Sequence, residues 1–254
     1  METWAPVCTP GAAAEPLDAD GWRLSLPAGE AGSYRLAQVD DYYFPPRREF
    51  RWQPPCRLRL QARTSAQDLP GTWGFGWWND PFNLNLGIGG AVRRVPALPN
   101  TAWFFHASPP NHLSFSTNLP AQGFLTAAFQ SPHLHFLLMA VGMPFLPLLA
   151  FHPAARLLRR LAHRIIREDA AVLDVDATQW HEYVISWLPE GVEYHVDGRM
   201  VFSTPVSPLP PLGVVIWIDN QYAAFPPDGR FRLGALPSPE PAWLEVRSVQ
   251  CHVL

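Results

Sequence analysis

The sequence predicts an all-β protein, a sandwich of two antiparallel sheets interrupted by one partly helical insertion. Three observations lead there. Short runs of β-branched and aromatic residues recur along the chain, and the 29 prolines fall mostly between them, as an architecture of many turns demands. No helical pattern alternates with those runs, which sets parallel α/β folds aside. At 254 residues the chain can bury one large core, while two full domains would be cramped.

Residues 1–20 read as a loose N-terminal arm, and 21–254 as a single sandwich interrupted at 131–176. The run CRLRLQAR at 56–63 alternates Leu58, Leu60 and Ala62 with Arg57, Arg59, Gln61 and Arg63, the pattern of a strand with one dry and one wet face. Further strands are expected at 71–78, 102–107, 124–130, 181–187, 192–196, 200–202, 214–219 and 242–250. Two tight turns fix register. Pro189-Glu190-Gly191 closes one hairpin, and Asp197-Gly198 has the residue types whose positive φ angles suit a type I′ turn.

The insertion opens with HLHFLLMAVGMPFLPLLAF, in which 136–151 carries no charged side chain. That stretch, broken by Gly142, Pro144 and Pro147, is shorter than the ~20 residues a bilayer-spanning helix needs. The following PAARLLRRLAHRIIRED predicts a helix with Pro153 in its first turn and an apolar stripe of Leu157, Leu158, Leu161, Ile165 and Ile166. Arg156, Arg159, Arg160, His163, Arg164 and Arg167 cover the rest, with only Glu168 and Asp169 to pair them. Two readings stand. In one, Phe145, Leu148, Phe151, Arg156, Arg159, Arg160 and Arg164 contact an anionic membrane surface; in the other, the helix is a lid packed on the sandwich with its arginines in solvent.

The stretch GTWGFGWWNDPF, 71–82, places Trp73, Phe75, Trp77 and Asn79 on one side of a strand and Gly74, Gly76, Trp78 and Asp80 on the other. The glycines let the strand bend or let something approach closely. The rings either line a cleft or fill the space between the sheets. Together with WHEYVISWLPEGVEYHVDGRMVF (180–202) and AWLEVRSVQ (242–250), this stretch resembles glycoside hydrolase family 16, within the concanavalin A-like lectin and glucanase superfamily. The similarity covers roughly 50–130 and 177–254. It implies a jelly-roll β-sandwich of two curved antiparallel sheets with a ligand cleft on the concave face, and it implies that Trp77 faces that cleft. The family's chemistry rests on Glu-x-Asp-x-x-Glu, a motif that occurs nowhere in this chain. On the best matching strand, NTAWFF at 100–105, the three acidic positions fall on Asn100, Ala102 and Phe105, so retaining glycosidase activity is not expected.

By the same resemblance VVIWIDNQY (214–222) lines the opposite side of the cleft, and its alternation groups Trp217, Asp219 and Gln221. The expected ligand-binding set is therefore Trp73, Trp77, Asn79, Trp103, Phe105, Trp217, Asn220 and Gln221. Asp80, Asp219 and His106 are the titratable candidates. A carboxyl desolvated among indoles gains a raised pKa and can act as a general acid, which suits cyclisation or hydration of a polyene; the competing reading has these Asp and Asn residues holding turns. The expected ligand is a lipophilic molecule (isoprenoid, lipid or glycolipid), and the alternative is a glycan. Neither a cofactor nor a metal is called for, since His133, His135, His152, His163 and Asp169 fit no ligand spacing. A net charge of -3 with 16% charged residues sets nucleic acid aside. Cys8, Cys56 and Cys251 are scattered and read as reduced thiols. The N-terminus shows no basic start followed by an apolar run, from which a cytoplasmic location, peripheral on the membrane, is expected.

Overall fold

A computed structural model describes residues 4–81, 94, 97–133 and 151–254. In chain order its strands are β1 (Ala5–Cys8), β2 (Ala13–Asp18), β3 (Gly21–Leu26), β4 (Leu36–Asp40), β5 (Cys56–Thr64), β6 (Thr72–Trp78), β7 (Thr101–Ala107) and β8 (Gly123–Gln130). One helix, α1 (His152–Ile165), follows. The remainder are β9 (Arg167–Val172), β10 (His181–Leu188), β11 (Gly191–Val196), β12 (Arg199–Thr204), β13 (Gly213–Asp219), β14 (Gln221–Ala224), β15 (Arg232–Ala235) and β16 (Ala242–Val253). Two seven-stranded antiparallel sheets form the sandwich, ordered β1-β4-β13-β6-β7-β8-β9 and β12-β11-β10-β5-β16-β3-β2. The fold class is the one the sequence predicts.

Two expectations about the borders need correction. The supposed arm contains β1 and β2, which form the edge of one sheet each. The insertion likewise returns to the sandwich as β9, paired with β8 from Gln130↔Arg167 to Leu125↔Val172. Both hairpin turns are as expected: Leu188 pairs with Gly191, and Asp197 and Gly198 have φ of 50° and 76°.

Alternation decides what lies between the sheets. Trp73, Phe75 and Trp77 of β6 point inward and meet the second sheet, with Trp77 5.7 Å from Trp187 and Phe75 5.1 Å from Tyr183. On the far side of the second sheet a stack of cations and indoles runs across the strands. Arg23 lies over Trp243, Arg63 lies over both Trp243 and Trp180, and Arg247 lies 4.1 Å from the centre of Trp180. Glu245, buried beneath, binds Arg23 and Arg63 at 2.7 and 2.8 Å.

The face of the first sheet turned away from the second, its open face in that sense although Asp40, Val215, Phe105, Leu125 and Ala127 on it are buried, is set by its register. One row across the strands reads Gln38, Trp217, Gly74, Phe105, Leu125, and the next reads Asp40, Val215, Gly76, Trp103, Ala127, Ala170. Glycine is required where the rings cross β6. A Cβ on Gly74 would stand 2.4 Å from the Phe104 carbonyl oxygen and 2.8 Å from the far edge of the Trp217 indole. Gly74→Ala should therefore destabilise the protein by about 1–3 kcal/mol in urea unfolding, because both the β7 backbone and the indole have to shift.

Candidate functional site

Trp78 of β6, Trp103 of β7 and Trp217 of β13 gather on the open face, each half-buried. Trp103 and Trp217 are 5.3 Å apart, Trp78 and Trp103 6.0 Å, and Trp78 and Trp217 are nearly parallel at 5° and 6.4 Å. Two of the indole N–H groups are spent inside the protein. Trp78 donates to the Tyr42 hydroxyl at 2.5 Å, and Trp217 donates to Thr72 Oγ1 at 2.9 Å. What these rings offer outward is carbon surface.

Thr72 passes the connection on. Its hydroxyl donates to Asp219 Oδ1 at 2.8 Å, and the same oxygen accepts the backbone amides of Thr72 and Gln221. Oδ2 faces the Tyr34 hydroxyl at 3.4 Å. Asp219 is buried and meets no cation among the described residues, so desolvation outweighs these hydrogen bonds and pushes its pKa up to about 7. Asp40, on the same face, behaves alike: burial, reinforced by the nearby Asp41 and Asp80, pushes it up to about 7 against hydrogen bonds from Gln38 and the Tyr42 amide. The two stand four residues apart along adjacent strands, since Asp40 pairs with Val215 and Asp219 with Leu36. That spacing is about 14 Å along the strand.

The remaining sequence candidates fall elsewhere. Trp73 and Trp77 are 1% and 0% exposed between the sheets, so the expectation that Trp77 faces the cleft is wrong. Alternation groups those residues but does not say which side is inward, and the glycine side is the open one. His106 also points inward, stacked on Trp73 at 5.7 Å, where burial lowers its pKa; it is on the opposite side of the sheet from Asp219. Asp80 is no free acid, because its carboxylate binds Arg94 at 2.6 Å with both side chains buried. Arg94 also donates to the carbonyls of Tyr42, Tyr43 and Pro45.

Asn79 and Asn220 are structural. Asn79 bonds the Leu98 carbonyl and the Asn100 amide, and Asn220 bonds the Arg35 amide and the Ser33 and Leu236 carbonyls. Gln221 is half-buried but begins the separate β14–β15 ribbon. Phe105 lies on the open face beneath a second apolar cluster with Leu125, Ala127, Phe129 and Ile166. On β7 that face carries Thr101, Trp103, Phe105 and Ala107, none of them a carboxyl; Ala102, expected at an acidic position of the motif, points inward. The sequence reading missed Trp78, Thr72, Tyr42 and Asp40, although the alternation Leu36, Gln38, Asp40 carries the last. Among the described residues no cluster of His, Cys, Asp or Glu is placed to hold a metal ion.

No protein-family model matches the chain. No curated protein matches it either. Among solved structures it is similar in fold to a legume lectin-like domain from Entamoeba histolytica (10% identity, TM-score 0.49, covering 99% of this chain and 90% of that one). It is also similar to a Bacillus licheniformis beta-glucanase (10%, 0.46, covering 92% and 78%). A third is a Bacteroides ovatus family 16 glycoside hydrolase solved with a mixed-linkage glucan product (9%, 0.47, covering 99% and 95%). With about a tenth of residues identical, the likeness is one of strand arrangement.

The raised carboxyls have a thermodynamic consequence. Between pH 4 and 7 the native protein holds protons on Asp219 and Asp40 that the unfolded chain releases, so stability is greatest below about pH 4 for these groups and falls as pH rises through 7. Asp219→Asn keeps an acceptor where Oδ1 stands and removes the charge. It should reduce the loss between pH 4.5 and 8 in urea unfolding, leaving the part due to Asp40, and raise stability at pH 8 by roughly 1–3 kcal/mol.

Proposed function

We propose that the protein binds a lipophilic ligand of the isoprenoid, lipid or glycolipid class on the open face of the first sheet. The observation that carries this reading is the group formed by Trp78, Trp103 and Trp217: three half-buried indoles held within 6.4 Å, with the N–H groups of Trp78 and Trp217 already satisfied. Such a surface rewards contact with carbon and offers few unpaired polar groups to a hydroxylated ligand. It also favours binding over glycoside hydrolysis. The carboxyl pair of a retaining enzyme stands ~5 Å apart and that of an inverting enzyme ~6.5–9.5 Å, whereas Asp40 and Asp219 are about 14 Å apart along the sheet. Glu168 lies beyond β8 at the far edge, where it accepts the amides of Phe115 and Ser116. Asp219 acts in this reading as a positioning group, holding Thr72 and through it the Trp217 ring.

One observation favours a second reading, binding of a glycan. Trp78 and Trp217 lie within 5° of parallel, a flat platform of the kind a pyranose face can stack on. Saturation-transfer NMR with farnesol and with a mixed-linkage glucan tetrasaccharide separates the two. We expect saturable transfer to farnesol, weakened at least tenfold by Trp217→Ala and largely retained by Trp217→Phe. Transfer to the tetrasaccharide alone, lost in Trp217→Ala, would replace the lipophilic ligand with a glycan. Transfer to neither would remove this face as a binding surface.

A further inference from the structure

A helix on a protein surface ordinarily turns its apolar stripe to the core. Helix α1 does not. The side seated on the sandwich is Ala155, Arg159, Ala162 and Ile166, while Leu157, Leu158, Leu161 and Ile165 are 52%, 36%, 41% and 44% exposed. Phe151, just before the helix, is 63% exposed. The expected apolar stripe is thus corrected: of its five members only Ile166 is buried. Arg159, expected at a membrane surface, is corrected too. It is 4% exposed and donates to the carbonyls of Ser114, Ser116 and Phe225. Phe145 and Leu148 lie outside the described residues.

The reason for this seating is local. Three loop carbonyls converge under the helix, and a guanidinium has donors enough for all of them, which no leucine could supply. Ala155 and Ala162 leave room for the helix to sit close enough. The leucines are then left on an outward side, and beside them along the same helix run Arg156, Arg160 and Arg164, all exposed. Arg156 and Arg160 reach only backbone carbonyls one turn back within the helix. No carboxylate pairs with these three arginines among the described residues.

We infer that α1 is a docking helix for an anionic bilayer surface, lying in the plane of the interface with Leu157, Leu161 and Ile165 in the acyl boundary and Arg156, Arg160 and Arg164 against lipid phosphates. Charge selects this occupant. Arginines without acidic partners next to exposed aliphatic side chains match a surface that is negative outside and hydrocarbon beneath. A protein groove or a second copy of this chain would need carboxylates facing the arginines, and the helix itself supplies none. The inference does not depend on what the tryptophan face binds. No described helix is long and apolar enough to cross a membrane, so the contact is one of lying on the surface.

The test is co-sedimentation with vesicles of pure phosphatidylcholine and of phosphatidylcholine with about one third phosphatidylglycerol, an anionic surface. The wild-type protein should pellet with the anionic vesicles at low salt and be released as salt rises. Replacing Arg156, Arg160 and Arg164 with Gln should weaken partition about fivefold for each arginine lost. Leu157→Gln, Leu161→Gln and Ile165→Gln together should reduce it more than tenfold. All six side chains are exposed, so both triple variants should keep the wild-type unfolding midpoint. Absence of pelleting at low salt, equal pelleting with the uncharged vesicles, or wild-type pelleting by the leucine variant would each overturn the inference. So would a dimer in sedimentation velocity that the leucine variant dissolves while vesicles never bind.

Discussion

The arrangement of the open face depends on how closely two indoles approach the backbone of β6. Trp217 and Trp103 come from strands on either side of it, and they meet only because Gly74 and Gly76 have no side chains to hold them off. Glycine inside a strand costs roughly 0.5–1 kcal/mol of chain entropy. Partial burial of several large rings is worth about 1.5–3 kcal/mol for each full side chain, which offsets that cost. The inward side of the same strand is filled by Trp73, Phe75 and Trp77. One seven-residue strand thus organises the core through its own rings and the open face through its lack of them.

The buried carboxyls of this protein meet two kinds of partner. Glu245 is met by two guanidinium groups and Asp80 by one. Asp219 and Asp40 receive only neutral donors, and for them the loss of water is the larger effect. At Asp219 three of those donors converge on Oδ1, while Oδ2 accepts from the Tyr34 hydroxyl. The relay from Trp217 through Thr72 to Asp219 fixes the ring and the carboxyl against each other. Its geometry favours a positioning role, because Oδ1, the oxygen linked to the indole through Thr72, already accepts three donors.

Much of the fold was legible because alternation is a direct record of a strand with two unlike sides. The run 56–63, the Trp180 to Phe202 hairpins and the closing strand all fall within a few residues of their observed bounds. The strands that went unread, β1, β2, β4 and β9 among them, are short and lie toward sheet edges or carry polar residues, where neighbours from distant sequence decide the pairing. The site was legible only in part. Alternation tells that Trp73 and Trp77 share a side and that Trp78 belongs to the other; it cannot tell which side another sheet will cover. Asn79, Asp80 and Asn220 looked alike as polar residues at strand ends, and only the partners Leu98, Arg94 and Arg35 reveal that each is spent on structure.

The same limit explains α1, and there it carries further. A stripe of leucines announces an amphipathic helix, but the stripe that wins the seat is the one whose partners are hardest to satisfy otherwise. Three converging carbonyls make Arg159 that partner, and Glu168 holds the same loop by the amides of Phe115 and Ser116. The seat lies over Leu125, Ala127 and Phe129, beside Phe105 and Trp103. The helix therefore packs through Ala162 and Ile166 on the apolar cluster that Trp103 and Trp217 also border. An element anchored by its arginine rather than its leucines leaves those leucines outward, because the partners that seat it are the carbonyls of Ser114, Ser116 and Phe225 and not an apolar surface.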